Sequence, residues 1–420
     1  MPMVSSDASA VPPNSPVGPL AGLRVLELGH FIAGPFCARL LADLGADVIK
    51  VEAPGKGDPA RSWGEIRGDK SSIWWSVHGR NKKSITLNMK SPRARSLLLE
   101  LIGQSDVLIE NYRPGQLERW GLGTEQLQLA KPGLVLVRIS GFGQNGPYAE
   151  RSAFGVIGEA MGGIRRLTAF PAGVTDLPPA RTGISLGDSV AALYGAFGAL
   201  AAILDQRSRT TKEVRIVDVA LTESVLSLME GCLPEYGVLG KVREPTGSTL
   251  PTNAPSNAYA CKDGEWVLIA ANSDPLFMAL TRLMGCPELA SDPRYATNPD
   301  RVRHSEELDA RIGAWTATLT VEEAFHLLSE ANIPSTKIYS VADIATDRQF
   351  HARGMIREVE DPTYGKVMHP APLPMFGGGV CGGSIRWPGP DLGAHNAEVY
   401  GGLLGLPDLE IERLASEGVI

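Results

Sequence analysis

Asp188 stands between Gly187 and Ser189, ahead of the apolar run Val-Ala-Ala-Leu-Tyr-Gly-Ala-Phe-Gly-Ala-Leu200. The commonest use of an aspartate there is to cap a helix N-terminus. A second use is chemical. A carboxylate at a helix start beside small residues can reach a ligand and attack a thioester carbonyl, and backbone N–H groups there can stabilise the oxyanion. The turn Gly29-His-Phe-Ile-Ala-Gly34-Pro35 offers His30 as a ligand-facing group or as a strand-end histidine with a structural hydrogen bond. The dinucleotide fingerprint is absent from this turn, and no Gly-Lys-Ser/Thr occurs, which argues against NAD and NTP chemistry. Arg80, Lys82, Lys83, Lys90, Arg113 and Arg119 recur near strand ends, where a phosphate-bearing ligand would bind, although solvated charge is the default for each.

The elements that must position these groups alternate. Leu23–Leu28, Ala46–Glu52, Ser84–Met89, Asp106–Glu110, Leu134–Ser140 and Val214–Ala220 read as strands. Helices are expected from Gly34 to about Leu44, from Ser91-Pro92 through Gly103, from Asp188 to Leu204, and from Leu221 to Met229. Phe142–Thr182 reads as a long functional connection. Strand and helix in turn imply an α/β fold with a doubly wound parallel sheet. Lys262-Asp263-Gly264 between two short strands predicts a hairpin, and Thr320-x-x-Glu323 predicts a capping box. Together with helices at Pro275–Met284 and Ser305–Trp315 they indicate a smaller α+β domain. The expected division is a disordered tail at 1–18, a large domain at 19–236, a small domain with its linker at 237–345, and a C-terminal segment at 346–420. The tail from His369 to Pro390 reads as loop, followed by helices at Ala394–Leu404 and Leu409–Ser416.

Composition bounds the rest. With 420 residues and a net charge of -7, nothing pulls the chain toward nucleic acid or an anionic membrane. The longest apolar run, Val190–Leu204, is shorter than the roughly 20 residues of a membrane span, so a buried core helix is expected. Cys37, Cys232, Cys261, Cys286 and Cys381 are odd in number, scattered and without a C-x-x-C pair, which suits reduced thiols in a cytoplasm and no metal site.

Several motifs in order give a resemblance. Leu20-Ala-Gly-Leu-Arg-Val-Leu-Glu-Leu28, Ala33-Gly-Pro35, Leu44-Gly-Ala-Asp-Val-Ile-Lys-Val-Glu-Ala-Pro54 and Gly57-Asp58 open it. Asn81–Lys90, Asp106–Gly115, Gly141-Phe-Gly143, Gly162-Gly163, Gly187-Asp-Ser189, Leu392–His395 and Glu398-Val399 continue it. The chain resembles the family III CoA-transferases (the CaiB/BaiF family) over nearly its whole length. That likeness implies a Rossmann-like large domain, a small domain and a C-terminal segment returning to the large one, in an interlocked homodimer. It implies no tightly bound cofactor, with coenzyme A and acyl-CoA as substrates. Asp188 matches the family nucleophile, which carries acyl-anhydride and aspartyl-CoA intermediates. Ile32, Ala33, Leu87, Lys90, Asn111, Tyr112, Arg113 and Arg119 match positions lining the CoA site.

Within the family, 2-methylacyl-CoA racemases abstract an α-proton with a histidine–aspartate pair. Phe154 stands at the histidine position and cannot act as a base, which favours transfer over racemisation. The formyl-CoA branch has a glutamine where Ile32 stands and a glycine-rich lid that Glu244–Asn257 does not reproduce. The stretches around Leu233–Gly240 and Pro251–Tyr259 are similar to those of members using C4–C6 dicarboxylates with succinyl-CoA as donor. A dicarboxylate needs a cation for its distal end, and Arg165, Arg166 and Arg181 are the candidates. His30, Phe154 and Arg181 are therefore the expected acid-binding residues. The remaining alternative is a non-catalytic CoA-binding protein in which Asp188 only caps its helix.

Overall fold

The computed structural model describes residues 18–66, 71–377 and 382–420. The expected disordered tail, apart from Gly18, and Cys381 lie outside the described residues. The described chain divides into two units, the first made of 1–164, 182–231 and 351–420 and the second of 165–181 and 232–350.

The first unit is built on six strands: β1 (Arg24–Glu27), β2 (Asp47–Glu52), β3 (Lys82–Thr86), β4 (Val107–Glu110), β5 (Val135–Ser140) and β6 (Arg215–Ala220). All pair in parallel, in the order β3-β2-β1-β4-β5-β6. The inner strands β1, β4 and β5 are short and almost wholly buried because both faces are covered. Alternate residues feed two separate cores. Leu26, Ile49, Leu108 and Leu136 join one, and Val25, Val48, Val107, Val135 and Val137 join the other.

The helices of this half are α1 (Ala33–Asp43), α2 (Ile73–His78), α3 (Pro92–Gly103), α4 (Gln116–Arg119), α5 (Thr124–Ala130), α6 (Gly155–Met161), α8 (Leu186–Ser208) and α9 (Leu221–Leu226), while α7 (Ile164–Leu167) has all but its first residue in the second unit. Helices α3 and α5 lie over the first core, which the C-terminal residues Val399, Tyr400, Leu414 and Ile420 also enter. Helices α1 and α8 cover the second. They pack closely because α8 presents small residues. A Cβ added at Gly195 would lie 3.1 Å from both Cys37 Sγ and Ile139 Cδ1. Ser91 caps α3 by accepting the Arg93 N–H.

Three expectations need correction. The connection 142–182 contains the short helices α6 and α7; the Gly-rich α6 carries too weak a period to be read, and α7 is a single turn, Ile-Arg-Arg-Leu. Helix α8 starts at Leu186, so Ser185 is the N-cap residue and Asp188 sits inside the first turn. At 23 residues, α8 is also long and apolar enough to cross a membrane by length and composition. One side packs into the core through Val190, Ala191, Ala192, Ala196 and Ala199, but Leu193, Phe197 and Leu204 on its other side are exposed. The helix is therefore only half a core helix.

In the second unit, β7 (Ser256–Ala260), β8 (Trp266–Ala270) and β9 (Ser335–Lys337) form an antiparallel sheet in that order. The hairpin turn places Gly264 at φ +82°, the left-handed conformation that glycine supplies. Helices Asp274–Leu283, Ser305–Thr316 and Val321–Glu330 cover the sheet, and the Thr320/Glu323 capping box is formed. Phe277, Leu280, Tyr295, Leu308, Ile312 and Leu328 fill the core. Back in the first unit, β10 (Ile356–Asp361) and β11 (Gly365–Pro370) form an antiparallel hairpin. Its alternating charged residues had no apolar face to reveal it in the sequence.

Candidate active site

The strand order reverses direction between β1 and β4. Ligands of such sheets bind outside the carboxyl ends of the strands at this point. The chain leaves β1 into the turn Leu28–Ile32 and leaves β4 into Asn111–Pro114. Asn111 ties the two exits together: its Oδ1 accepts the His30 N–H at 2.8 Å and its Nδ2 donates to the His30 carbonyl at 2.9 Å. Gly29 and Gly34 let the turn fold on itself, since a Cβ on either would lie 3.0 Å from the Cα of the other.

His30 Nε2 lies 3.1 Å from the Tyr112 hydroxyl. Burial, and then the nearby Lys50 charge, hold the His30 pKa below its ordinary value, so the imidazole is neutral near pH 7. Its Nδ1 is buried and has no hydrogen-bond partner within the protein.

Asp188 approaches from the other side. The N-termini of α6 and α8 meet at two glycines. A Cβ on Gly187 would lie 2.6 Å from the Gly155 carbonyl oxygen, and one on Gly155 would lie 2.0 Å from Asp188 Oδ2. Only glycine at 155 leaves room for the Asp188 carboxylate. The neighbouring N–H groups expected to serve an oxyanion are engaged. Gly187 donates to the buried Glu159 at 3.4 Å, and Ser189 donates to the Ser185 carbonyl at 3.0 Å.

Asp188 opens into a cavity of about 290 Å³. Its walls are His30, Phe31 and Ala33 after β1, Asn111 to Pro114 after β4, Ile139 to Gly141 at the end of β5, Arg151 to Phe154, and Leu221. The predicted residues His30, Ala33, Asn111, Tyr112, Arg113, Phe154 and Asp188 thus share one cavity. Ile32 and Leu87 do not line it; their side chains are buried, Leu87 in the core with 1% exposure. Lys90 and Arg119 are exposed outside it, and Arg119 donates to Gln116 at 2.9 Å. Arg165, Arg166 and Arg181 belong to the second unit, where Arg166 pairs with Glu244 at 2.7 Å.

Arg80, Lys82 and Lys83 are corrected as phosphate ligands. Because β3 begins at Lys82, they stand at the amino end of the strand, away from the crevice. Arg80 is buried against Asp43 (2.6 Å), Lys82 against Glu27 (2.7 Å), and Lys83 bridges Asp47 and Glu398. The G-x-G-x-x-G spacing also occurs after β5, at Gly141, Gly143 and Gly146, but there it opens no helix, since α6 starts only at Gly155. A phosphate there would lack the helix N-terminus that the dinucleotide motif supplies.

Sequence reasoning missed Phe31, Arg151, Ser152 and Gly155. Phe31 packs its ring against Trp63 (4.8 Å between centroids) and edge-on to Phe154 (6.0 Å). Arg113 donates to the Ser152 hydroxyl, and Arg151 stacks on Tyr148 at 3.8 Å. The only sequence signal for Gly155 is its place directly after Phe154. A separate cavity of about 410 Å³ lies at the amino ends of β2 and β3, beside Asp47, Trp387 and His395, and of the predicted residues only Lys83 lines it.

Residues 20–396 match the family model for CoA-transferase family III. The chain belongs to the family III CoA-transferases. It is 48% identical to the succinyl-CoA–D-citramalate CoA-transferase of Chloroflexus aurantiacus, over 96% of this chain and 99% of that protein. The beta subunit of the succinyl-CoA–L-malate CoA-transferase from the same organism is 38% identical, over 96% and 98%. Among solved structures, a CaiB/BaiF family protein from Brucella suis superposes with a TM-score of 0.81 at 32% identity, covering 92% of this chain and all of that one. This CoA-transferase therefore takes CoA thioesters and carboxylic acids as substrates, and the parallel-sheet unit with its small antiparallel-sheet companion is the fold of its family.

Proposed function

We propose that this CoA-transferase moves coenzyme A from succinyl-CoA to a C4–C6 dicarboxylic acid through a thioester formed on Asp188. The observation that carries the proposal is the Asp188 carboxylate facing a cavity at the sheet's switch point, with Gly155 stripped back to admit it. The substrates rest on the relatives named for succinyl-CoA with D-citramalate and L-malate, both dicarboxylic acids.

The steps balance without a redox or metal cofactor. Asp188 attacks the succinyl thioester carbonyl, the C–S bond breaks, and CoA leaves as thiolate. The thiolate attacks the aspartyl carbonyl of the mixed anhydride and expels succinate. The acceptor carboxylate then attacks the enzyme thioester and releases the thiolate again. Finally the thiolate attacks the acceptor acyl carbon, freeing acyl-CoA and the Asp188 carboxylate. Two activated acyl states replace one direct exchange between poor reactants.

Neutral His30 and the Tyr112 hydroxyl are hydrogen-bonding groups for the acyl oxygens. Phe31 and Phe154 form the apolar wall. Arg151 is the cation on this wall for a distal carboxylate, in place of Arg181. Lys90, Arg113 and Arg119 are exposed cations available to the CoA phosphates, with Ile32, Ala33, Leu87 and Asn111 contributing backbone. The exposed Leu193, Phe197 and Leu204 on one helix support a homodimer, and the four described cysteines, all unpaired, suit a cytoplasmic enzyme.

The test is transfer from succinyl-CoA to a panel of acids, with Asp188→Asn alongside. Dicarboxylates should accept CoA, and the variant should lose at least about a thousandfold in kcat, the scale of removing a covalent nucleophile. An active Asp188→Asn, or a wild type inert toward every dicarboxylate, would overturn the proposal.

A further inference from the structure

The turn that brings His30 and Phe31 to the cavity is gripped at three successive residues. Lys50 Nζ donates to the Gly29 carbonyl at 2.8 Å, Asn111 holds both backbone groups of His30, and Asp58 Oδ1 accepts the Phe31 N–H at 3.1 Å. Phe31 sits at φ +62°, in the left-handed region that a bulky side chain rarely adopts. Such a conformation persists only where its surroundings over-determine it, and these outliers cluster at functional sites. The surroundings here are built for it. Asp58 is 1% exposed, its Oδ1 also accepts the Ala60 N–H at 2.8 Å, and its Oδ2 lies 2.7 Å from Lys50 Nζ. Lys50 is itself buried and bonded to Glu27 at 2.7 Å. Asp58 does not line the cavity, whereas Phe31 does.

We propose that Asp58, tied down by Lys50, is a positioning residue: it holds Phe31 in the left-handed conformation and so sets the aromatic wall and His30 against the Asp188 carboxylate. The pair acts on the approach of the acyl group, not on the affinity for CoA. This inference rests on Asp188 being the reacting group.

A double-mutant cycle between Asp58→Asn and Phe31→Gly tests it. Asparagine is isosteric, but its NH₂ must face either the Phe31 N–H or the Lys50 ammonium, so one grip is lost whichever way it turns. Glycine adopts φ +62° without help. In the wild-type background, Asp58→Asn should lower kcat at least about tenfold and leave KM for succinyl-CoA within about threefold. In the Phe31→Gly background the same change should cost less than about twofold. An equal factor in both backgrounds means that Asp58 does not act through Phe31 and overturns the inference. Should Asp58→Asn fail to fold, Lys50→Arg, which keeps the charge, carries the same cycle. Asp188→Asn is assayed in parallel: if it stays active the nucleophile reading fails, whereas an inactive Asp188→Asn with an additive cycle sinks only the positioning role.

Discussion

Asp188 occupies the first turn of a helix, where the aligned peptide dipoles favour negative charge. In the proposed mechanism the same field would polarise an acyl-aspartyl carbonyl, so one location would serve the carboxylate and its activated forms. What makes the carboxylate reachable is a neighbour with no side chain. A methyl group at Gly155 would overlap Asp188 Oδ2, so Gly155→Ala must displace either the carboxylate or the start of α6. Overpacking of this kind costs about 1–3 kcal/mol of stability, and a misplaced nucleophile costs about a hundredfold in rate. We expect folded Gly155→Ala with kcat down by at least that factor, measured by steady-state transfer beside a melting curve. Full activity would mean that the carboxylate does not work from this position. Asp188 as the candidate nucleophile came from the sequence through its motif. Its place in the helix was not: capping is decided where the backbone leaves helical geometry, and packing of Gly187 on Gly155 moves that point back to Ser185.

Helix α8 shows what can be read of an element. Its apolar run and small residues predicted a helix against the sheet, and Gly195 against Cys37 and Ile139 is how that contact is made. Its second face was not foreseen. Phe197 is 71% exposed, with Leu193 one turn before it. Apolar side chains aligned on one helix face usually mark an interaction surface. We expect the enzyme to sediment as a dimer and Phe197→Glu to shift it toward monomer; an unchanged sedimentation coefficient would remove α8 from the interface. Strand β3 starts two residues and ends three residues earlier than expected, for a related reason. Lys82 and Arg80 look like loop residues by type, but each meets a buried carboxylate, Glu27 and Asp43, that only the folded sheet brings near. The charged hairpin β10–β11 and the Gly-rich α6 were unreadable because neither has an apolar period.

Over the whole molecule, burial of histidines sets an acid limit. Desolvation lowers His78 from its ordinary 6.5 to about 3, helped by Arg39 and Lys82, and lowers His369 to about 4, helped by Arg80. Both bind a proton more readily when unfolded, so the unfolded chain takes up more protons as pH falls below 6.5. Stability is therefore full above that value and is lost on acidification toward 4, by at most about 1.4 kcal/mol per pH unit for each group. Urea midpoints should fall across this range, and His369→Gln should flatten the fall. A slope unaltered by the substitution would remove His369 as its source; the carboxylates Glu52 and Asp58, whose pKa values are also lowered, act lower still.

The chain's pattern alone determined the alternating strands and helices, the parallel sheet, the Thr320 cap and the Lys262–Gly264 turn, because each depends on neighbours within a few residues. Its motifs, read as a resemblance, determined the family and the candidate nucleophile. Tertiary structure decided which cations line the cavity, that Asn111 spends its amide on the His30 backbone, that Phe31 is held left-handed by Asp58, and that Gly155 makes space for Asp188. Those choices depend on groups distant in the chain, Asn111 being 81 residues from His30 and Asp58 27 from Phe31. No local period records such contacts, because they exist only once the sheet has set its strand order.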